Sequence, residues 1–259
     1  MTERAAAFER LAKIMDELRA QCPWDMKQTM DTLRHLTIEE TYELADSIVD
    51  ADLPAIKKEL GDLLLHILFY AKIASEQKAF DITGVIHAQC EKLIFRHPHI
   101  YGEIKVSDEE EVKRNWEKLK LKEGSKSVLE GVPSSLPSIV KSMRIQEKAR
   151  GVGFDWEKPE QVWQKVEEEL LEFRQASESG NAQLAAGEFG DVIFSLINYA
   201  RFKDINPDEA LERTNKKFIH RFQYLEEAAR KAGKQLSDMT LAEMDVFWEE
   251  AKQKAEKGS

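Results

Sequence analysis

One acidic signature occurs twice in this chain, in ungapped register. Glu39-Glu40-Thr41-Tyr42-Glu43 returns as Glu168-Glu169-Leu170-Leu171-Glu172, and Glu59-Leu60-Gly61-Asp62 returns as Glu188-Phe189-Gly190-Asp191. Glu39 to Glu168 and Asp62 to Asp191 are both steps of 129 residues, and the same step carries Tyr70-Ala71 onto Tyr199-Ala200. The residues between the acids mostly differ while the acids stay, which is the pattern of an internal duplication. Whatever one half folds into, the other must be able to fold into as well.

The spacing of apolar residues says what that is. Phe8, Leu11, Ile14, Met15 and Leu18 recur on one face of a helix, and the same i, i+3, i+4 pattern runs over about 36–49, 56–75, 85–95, 162–176, 188–202 and 208–232. No stretch alternates with strict period two between hairpin turns, as a sheet would need. The expected class is all-α, with two tandem, related helical-bundle domains. Breakers cluster at Gly124-Ser125-Lys126-Ser127 and Gly131-Val132-Pro133-Ser134-Ser135-Leu136-Pro137. They set an N-terminal domain at 1–123, a linker at 124–137 and a C-terminal domain at 138–259.

Composition narrows the function classes. Lys and Arg number 38 against 48 Asp and Glu, a formal net charge of −10, so bulk attraction to nucleic acid or to an anionic membrane is not expected. The longest apolar stretch, Leu63 to Ala71, contains His66 and is far short of the roughly 20 residues of a membrane helix. Met1 to Ala20 mixes charged and apolar residues without a signal core, and a cytoplasmic location is expected. Cys22 and Cys90 lack metal-type spacing and read as reduced thiols. The six histidines read as packing or loop residues, and Trp24, Trp116, Trp156 and Trp163 as core or interface residues.

On a helix, Glu168 and Glu169 share a face with Glu172, while Glu188 and Asp191 share a face of the next helix, across a turn containing Gly180 and Asn181. If the two helices pack antiparallel, four or five carboxylates converge. Such convergence calls for a compensating cation, and an all-oxygen set suits Mg²⁺ or Mn²⁺ better than zinc or copper. The plain alternative is a solvated acidic face. Against it stand the apolar run Val192-Ile193-Phe194-Ser195-Leu196-Ile197, which begins directly after Asp191, and the duplication itself. A carboxylate-bridged di-iron bundle needs Glu-x-x-His pairs, and no glutamate here has a histidine three residues later.

Duplicated E-E-x-x-E and E-x-x-D motifs in a chain of this length resemble the MazG family of nucleoside triphosphate pyrophosphohydrolases. The resemblance extends to Cys22-Pro23-Trp24-Asp25, Arg96-His97-Pro98-His99, Leu129-Glu130-Gly131-Val132-Pro133, Gly153-Phe154-Asp155-Trp156, Lys217-Phe218 and Arg221-Phe222, spanning about residues 8–253. It implies an all-α fold whose bundle is completed by dimerisation, hence a homodimer. It also implies Mg²⁺-dependent hydrolysis of ribo- and deoxynucleoside triphosphates to the monophosphate and pyrophosphate, with Mn²⁺ as a possible substitute.

The halves are not equivalent under that resemblance. A step of 125 residues aligns Cys90 with Asn215 and Arg96 with Arg221, and family members commonly carry asparagine, then lysine two residues on, at this place. Cysteine lacks the amide that both donates and accepts, so the C-terminal half is expected to be the main catalytic site. By resemblance, Glu169, Glu172, Glu188 and Asp191 are the metal ligands, and Glu168 is a substrate contact or water-orienting base. Lys165, Asn215, Lys217, Phe218 and Arg221 contact substrate, Lys217 with a catalytic role. Trp248 either closes over the nucleotide or packs. Glu40, Glu43, Glu59 and Asp62 form a possible second metal site. Two rival functions remain at this stage: a narrower pyrimidine deoxynucleotide hydrolase, and a non-catalytic helical interaction protein with a structural metal.

Overall fold

The computed structural model describes residues 2–106, 108, 111, 112, 115, 116, 119 and 127–257. Among them there is no strand, and ten α-helices carry the fold. They are α1 Glu3–Gln21, α2 Met30–Val49, α3 Leu53–Glu76, α4 Ile82–Arg96, α5 Pro98–Tyr101, α6 Ser138–Gly151, α7 Pro159–Glu178, α8 Ala182–Phe202, α9 Pro207–Lys231 and α10 Leu241–Lys257. The chain divides into two compact units, Met1–Val112 and Lys113–Ser259. The boundary expected at 123/124, and the first three residues of the linker, lie outside the described residues. From Val128 the linker is held to the C-terminal unit, where Lys148 Nζ donates to the carbonyls of Val128 and Glu130 at 2.9 and 3.1 Å.

The duplication is visible in the helix ends. Shifting α2 by 129 residues gives the bounds of α7 at both ends. Asp52 accepts from the Ala55 amide at the start of α3, and its counterpart Asn181 accepts from the Leu184 amide at the start of α8. These are side-chain caps of otherwise unpaired helical N–H groups. The cap explains why α8 begins at Ala182 rather than at the first periodic apolar residue near 188. Connections of three residues join α2 to α3 and α7 to α8, so each pair is an antiparallel hairpin and the principal packing of its unit.

At the middle of those turns the repeat differs. Gly180 sits at φ +72°, and Ala51 holds the corresponding position at φ +54°. A left-handed conformation costs an L side chain about 1–2 kcal/mol and costs glycine little. Ala51→Gly is therefore expected to stabilise the N-terminal unit by roughly 0.5–1 kcal/mol, offset in part by unfolded-state entropy. The check is a shift of the urea midpoint at unchanged slope.

Each unit has its own core. Met15, Leu33, Leu68, Phe69 and Ile73 form the N-terminal one, with Phe8, Leu11 and Leu36 against it. Val162, Val166, Ala176, Val192, Ile197, Leu225 and Ala229 are buried in the other. Trp24, Trp156 and Trp163 are exposed in the chain, so they are not core residues of their units. The repeat ends in unequal helices. Pro98 cannot continue α4 and biases His97 away from helix, whereas α9 runs on to Lys231, and its extension buries Leu225 and Ala229. No described helix is long and apolar enough to cross a membrane.

Candidate active site

The α7–α8 hairpin brings the predicted acids together. Glu169, Glu172 and Glu188 each offer a carboxylate oxygen, all within 4.8 Å of one another. Glu169 is buried, Glu188 partly buried and Glu172 exposed, so the cluster forms a rim that opens outward from the hairpin. Lys165 Nζ lies 2.8 Å from both Glu168 Oε1 and Glu169 Oε1. Hydrogen bonds that it donates to those two carboxylates hold its ammonium well above the usual lysine range. The Glu172 carboxyl is pushed up by desolvation and then by the charges of Glu169 and Glu188. Asp191 is in the next turn of α8. With Asn181, Gln183, Leu184, Gly187 and Glu188 it lines a cavity of about 370 Å³.

This donor set fits a hard divalent cation. Oxygens on opposite sides of Mg²⁺, bound at 2.0–2.1 Å, stand about 4.2 Å apart, so small rotamer changes close the observed spread. The three carboxylates carry more negative charge than the one nearby ammonium neutralises, and Lys165 engages only Glu168 and Glu169. Among the described residues no ion pair is made by Glu172, Glu188 or Asp191.

The substrate residues predicted on α9 and α10 form a second group. Phe218 packs on Trp248 with ring centroids 5.0 Å apart and on Phe222 at 6.1 Å, and the Arg221 guanidinium lies 5.9 Å from the Trp248 ring centre. Asn215 Nδ2 donates to Glu212. No ion pair among the described residues joins Lys217 or Arg221 to Glu169, Glu172 or Glu188, so the carboxylates and the aromatic–guanidinium group form two separate clusters. Trp248 is positioned by the start of α10, a reciprocal cap. The Glu243 amide donates to Thr240 Oγ1, while the Thr240 amide and hydroxyl donate to the Glu243 carboxylate, which also pairs with Lys234 at 2.7 Å. Lys234, then Thr240, hold the Glu243 carboxyl down to about 2. A depressed carboxyl stabilises the fold above its unfolded value of 4.5, and that contribution is lost as pH falls from 4.5 through about 2. Glu243→Gln is expected to lower the melting temperature at pH 7 and to flatten this acid limb, with Trp248 fluorescence reporting the release of α10.

In the N-terminal unit, Glu40, Glu43 and Glu59 repeat the triad within the same 4.8 Å limit. Burial, then Asp62, Glu43 and Glu59, push the Glu40 carboxyl up. Beside this set, Thr37 Oγ1 lies 2.9 Å from His66 Nδ1 and 2.7 Å from Tyr70 Oη. His66 is buried, and burial pushes its imidazole below the usual range. Cys22 and Cys90 are free thiols.

Sequence reasoning overlooked Lys58, Gly187 and the Asp155–Arg201 pair. The first two were open to detection by comparing the repeats position by position. The third had no local signal, because its members are 46 residues apart.

Comparison with known proteins shows the family. Residues 28–101 match the MazG nucleotide pyrophosphohydrolase domain, and residues 142–218 match phosphoribosyl-ATP pyrophosphohydrolase. The nucleoside triphosphate pyrophosphohydrolase/pyrophosphatase MazG of Thermotoga maritima is 40% identical over 257 residues, which is 97% of this chain and 98% of that protein. The chain belongs to the MazG family. The nucleoside triphosphate pyrophosphohydrolase of Escherichia coli K12, another relative, is 35% identical over 95% of this chain and 97% of its own length. YabN of Bacillus subtilis, an uncharacterized protein, is 44% identical over 95% of this chain, which spans 52% of that longer protein. MazG-type nucleotide pyrophosphohydrolases are enzymes. The two matched segments contain the two carboxylate sets, 28–101 the first and 142–218 the second.

Proposed function

We propose that this MazG-family enzyme hydrolyses ribo- and deoxynucleoside triphosphates to the monophosphate and pyrophosphate, clearing nucleotides from the cytoplasmic pool, and that turnover belongs to the C-terminal unit. The observation that carries this reading is the oxygen triad of Glu169, Glu172 and Glu188, held on a capped hairpin beside a cavity lined by Glu188 and Asp191. Mg²⁺, or Mn²⁺ in its place, is the cation this set suits, with Asp191 as a fourth ligand. When bound, the ion supplies Lewis-acid charge to the phosphate oxygens. The oxygen of water adds to the α-phosphorus, the bond to the α–β bridging oxygen breaks, and pyrophosphate leaves. Glu168 orients water or substrate, Lys165 and Lys217 offset charge on the phosphates, Asn215 and Arg221 fix the nucleotide, and Phe218 with Trp248 offers an aromatic face.

The α7–α8 hairpin also exposes Leu170, Leu171, Phe189, Ile193, Phe194 and Leu196. So much apolar surface around a charged site supports a homodimer that completes the bundle. The net charge of −10 supports small-molecule substrates over nucleic acid.

The test is pyrophosphate release from a panel of ribo- and deoxynucleoside triphosphates, with Mg²⁺ and with EDTA, for the wild type and Glu172→Ala. The match at residues 142–218 makes phosphoribosyl-ATP a necessary further member of the panel. Metal-dependent release with matching monophosphate, lost in the variant, supports the proposal. A folded, metal-binding protein that releases nothing sinks it in favour of a structural-metal interaction protein.

A further inference from the structure

The two carboxylate sets share a backbone plan and differ in where they keep a positive charge. In the N-terminal unit the Lys58 ammonium lies 3.0 Å from Glu59 Oε1, 3.7 Å from Asp62 Oδ2 and 3.9 Å from Glu43 Oε2. Glu43 is on α2, Glu59 and Asp62 on α3. The ammonium therefore bridges the hairpin and sits among three of the four carboxylates of this set.

The 129-residue step carries Lys58 onto Gly187, which has no side chain. A Cβ built at Gly187 would meet nothing within 4 Å, and the residue lines the cavity shared with Glu188 and Asp191. The lysine of the second set is Lys165, whose counterpart in the first half is Leu36. Lys165 pairs with Glu168 and Glu169 of its own helix and does not bridge to α8. One set thus has a cation from its own chain across both helices, and the other has open space at the same position.

We propose that the residue at this repeat position decides which half takes a divalent cation. Lys58 is a tethered counter-ion that closes the first carboxylate set, and Gly187 leaves the second set open to the metal and to the triphosphate. A primary ammonium satisfies the same carboxylate oxygens that a hard cation would need, and because it is covalently attached it competes at high effective concentration. Lys58 is two-thirds exposed, so its place among the acids is set by charge and not by burial. This inference rests on the proposed metal-dependent function and adds to the Cys90/Asn215 difference a second position that makes the halves unequal, this one through metal binding.

The experiment is Mn²⁺ binding to the full chain, read by the loss of the free-ion electron paramagnetic resonance signal, with folding followed by circular dichroism. Wild type is expected to bind Mn²⁺ at the C-terminal set alone. Lys58→Ala should add binding sites that the wild type lacks, and Lys58→Arg should not. Gly187→Lys should weaken the wild-type binding by at least about tenfold, whereas Gly187→Met, of similar bulk but uncharged, should retain it. Unchanged stoichiometry in Lys58→Ala, unchanged affinity in Gly187→Lys, or equal losses in the lysine and methionine variants would overturn the proposal while leaving the function standing. Absence of Mn²⁺ binding in the wild type would instead remove the metal-dependent reading beneath it.

Discussion

Glu188→Gln is expected to lower pyrophosphate release by roughly three orders of magnitude and, in EDTA, to raise the melting temperature. A metal ion's charge stabilisation of a phosphoryl transition state is worth several kcal/mol, and each 1.36 kcal/mol is a factor of ten in rate. Glutamine keeps the shape of Glu188 and removes the charge. Without metal the triad is a like-charge cluster within 4.8 Å, so removing one charge relieves repulsion. With Mg²⁺ the order of stabilities should invert, because a ligand at 100 times its Kd stabilises the wild type by about 2.7 kcal/mol and the weaker-binding variant by less. The pH dependence has a definite sign. The raised carboxyls of Glu172 and Glu40 favour the fold below their unfolded value of 4.5, and that contribution is lost as pH rises above 4.5 through the higher folded values. Metal-free protein should therefore lose stability over that window, and Mg²⁺ should remove the C-terminal part of the loss. Thermal melts across pH, with EDTA or Mg²⁺, measure all of this. A variant less stable than the wild type in EDTA would mean that Glu188 is a structural partner and not a member of a strained cage.

Asp155→Ala is expected to destabilise the C-terminal unit by about 3 kcal/mol. Asp155 Oδ2 accepts from Arg201 Nη1 at 2.9 Å, Arg201 Nη2 also donates to Asp155 and to Asn198, and Arg150 Nε lies 3.7 Å away. Both side chains are more than four-fifths buried, and Arg201 Nε is already buried without a partner. Removing Asp155 leaves a largely desolvated guanidinium with only Asn198 and the face of Phe202 to hold it. Removing both charges leaves none. Asp155→Ala/Arg201→Met should thus be more stable than Asp155→Ala alone, the non-additivity that a double-mutant cycle detects. At about 2–4 °C per kcal/mol, the single variant should melt roughly 6–12 °C lower. Arg201 is 13 residues beyond Glu188 on α8, about 20 Å along the axis, so turnover at low temperature should persist. Equal destabilisation in single and double variants would show that Asp155 does not act through Arg201.

The same two examples mark how far sequence reaches. Glu169, Glu172 and Glu188 were legible because their partners are local or repeated: helical periodicity puts the first two on one face, and a short turn with a cap folds the third back upon them. The all-α class, the hairpins and the duplication follow from spacing alone, because 3.6-residue periodicity and turn chemistry are properties of neighbours along the chain. The first residue of α8 was less legible, since Ala182 to Gly187 carries a weak apolar pattern and only the Asn181 cap marks its start.

Tertiary structure decided the rest. Asp155 meets Arg201 across 46 residues, and nothing in either neighbourhood announces the other. Aligning the repeats sets Lys58 against Gly187, but only the packed hairpin puts the Lys58 ammonium within reach of Glu43 on the other helix. The aromatic–guanidinium group on α9 and α10 likewise exists only once those helices pack. Sequence determined which charges face the same way, because helical geometry is local. Which charges meet depended on how the helices pack against one another, and that is set by the cores between them.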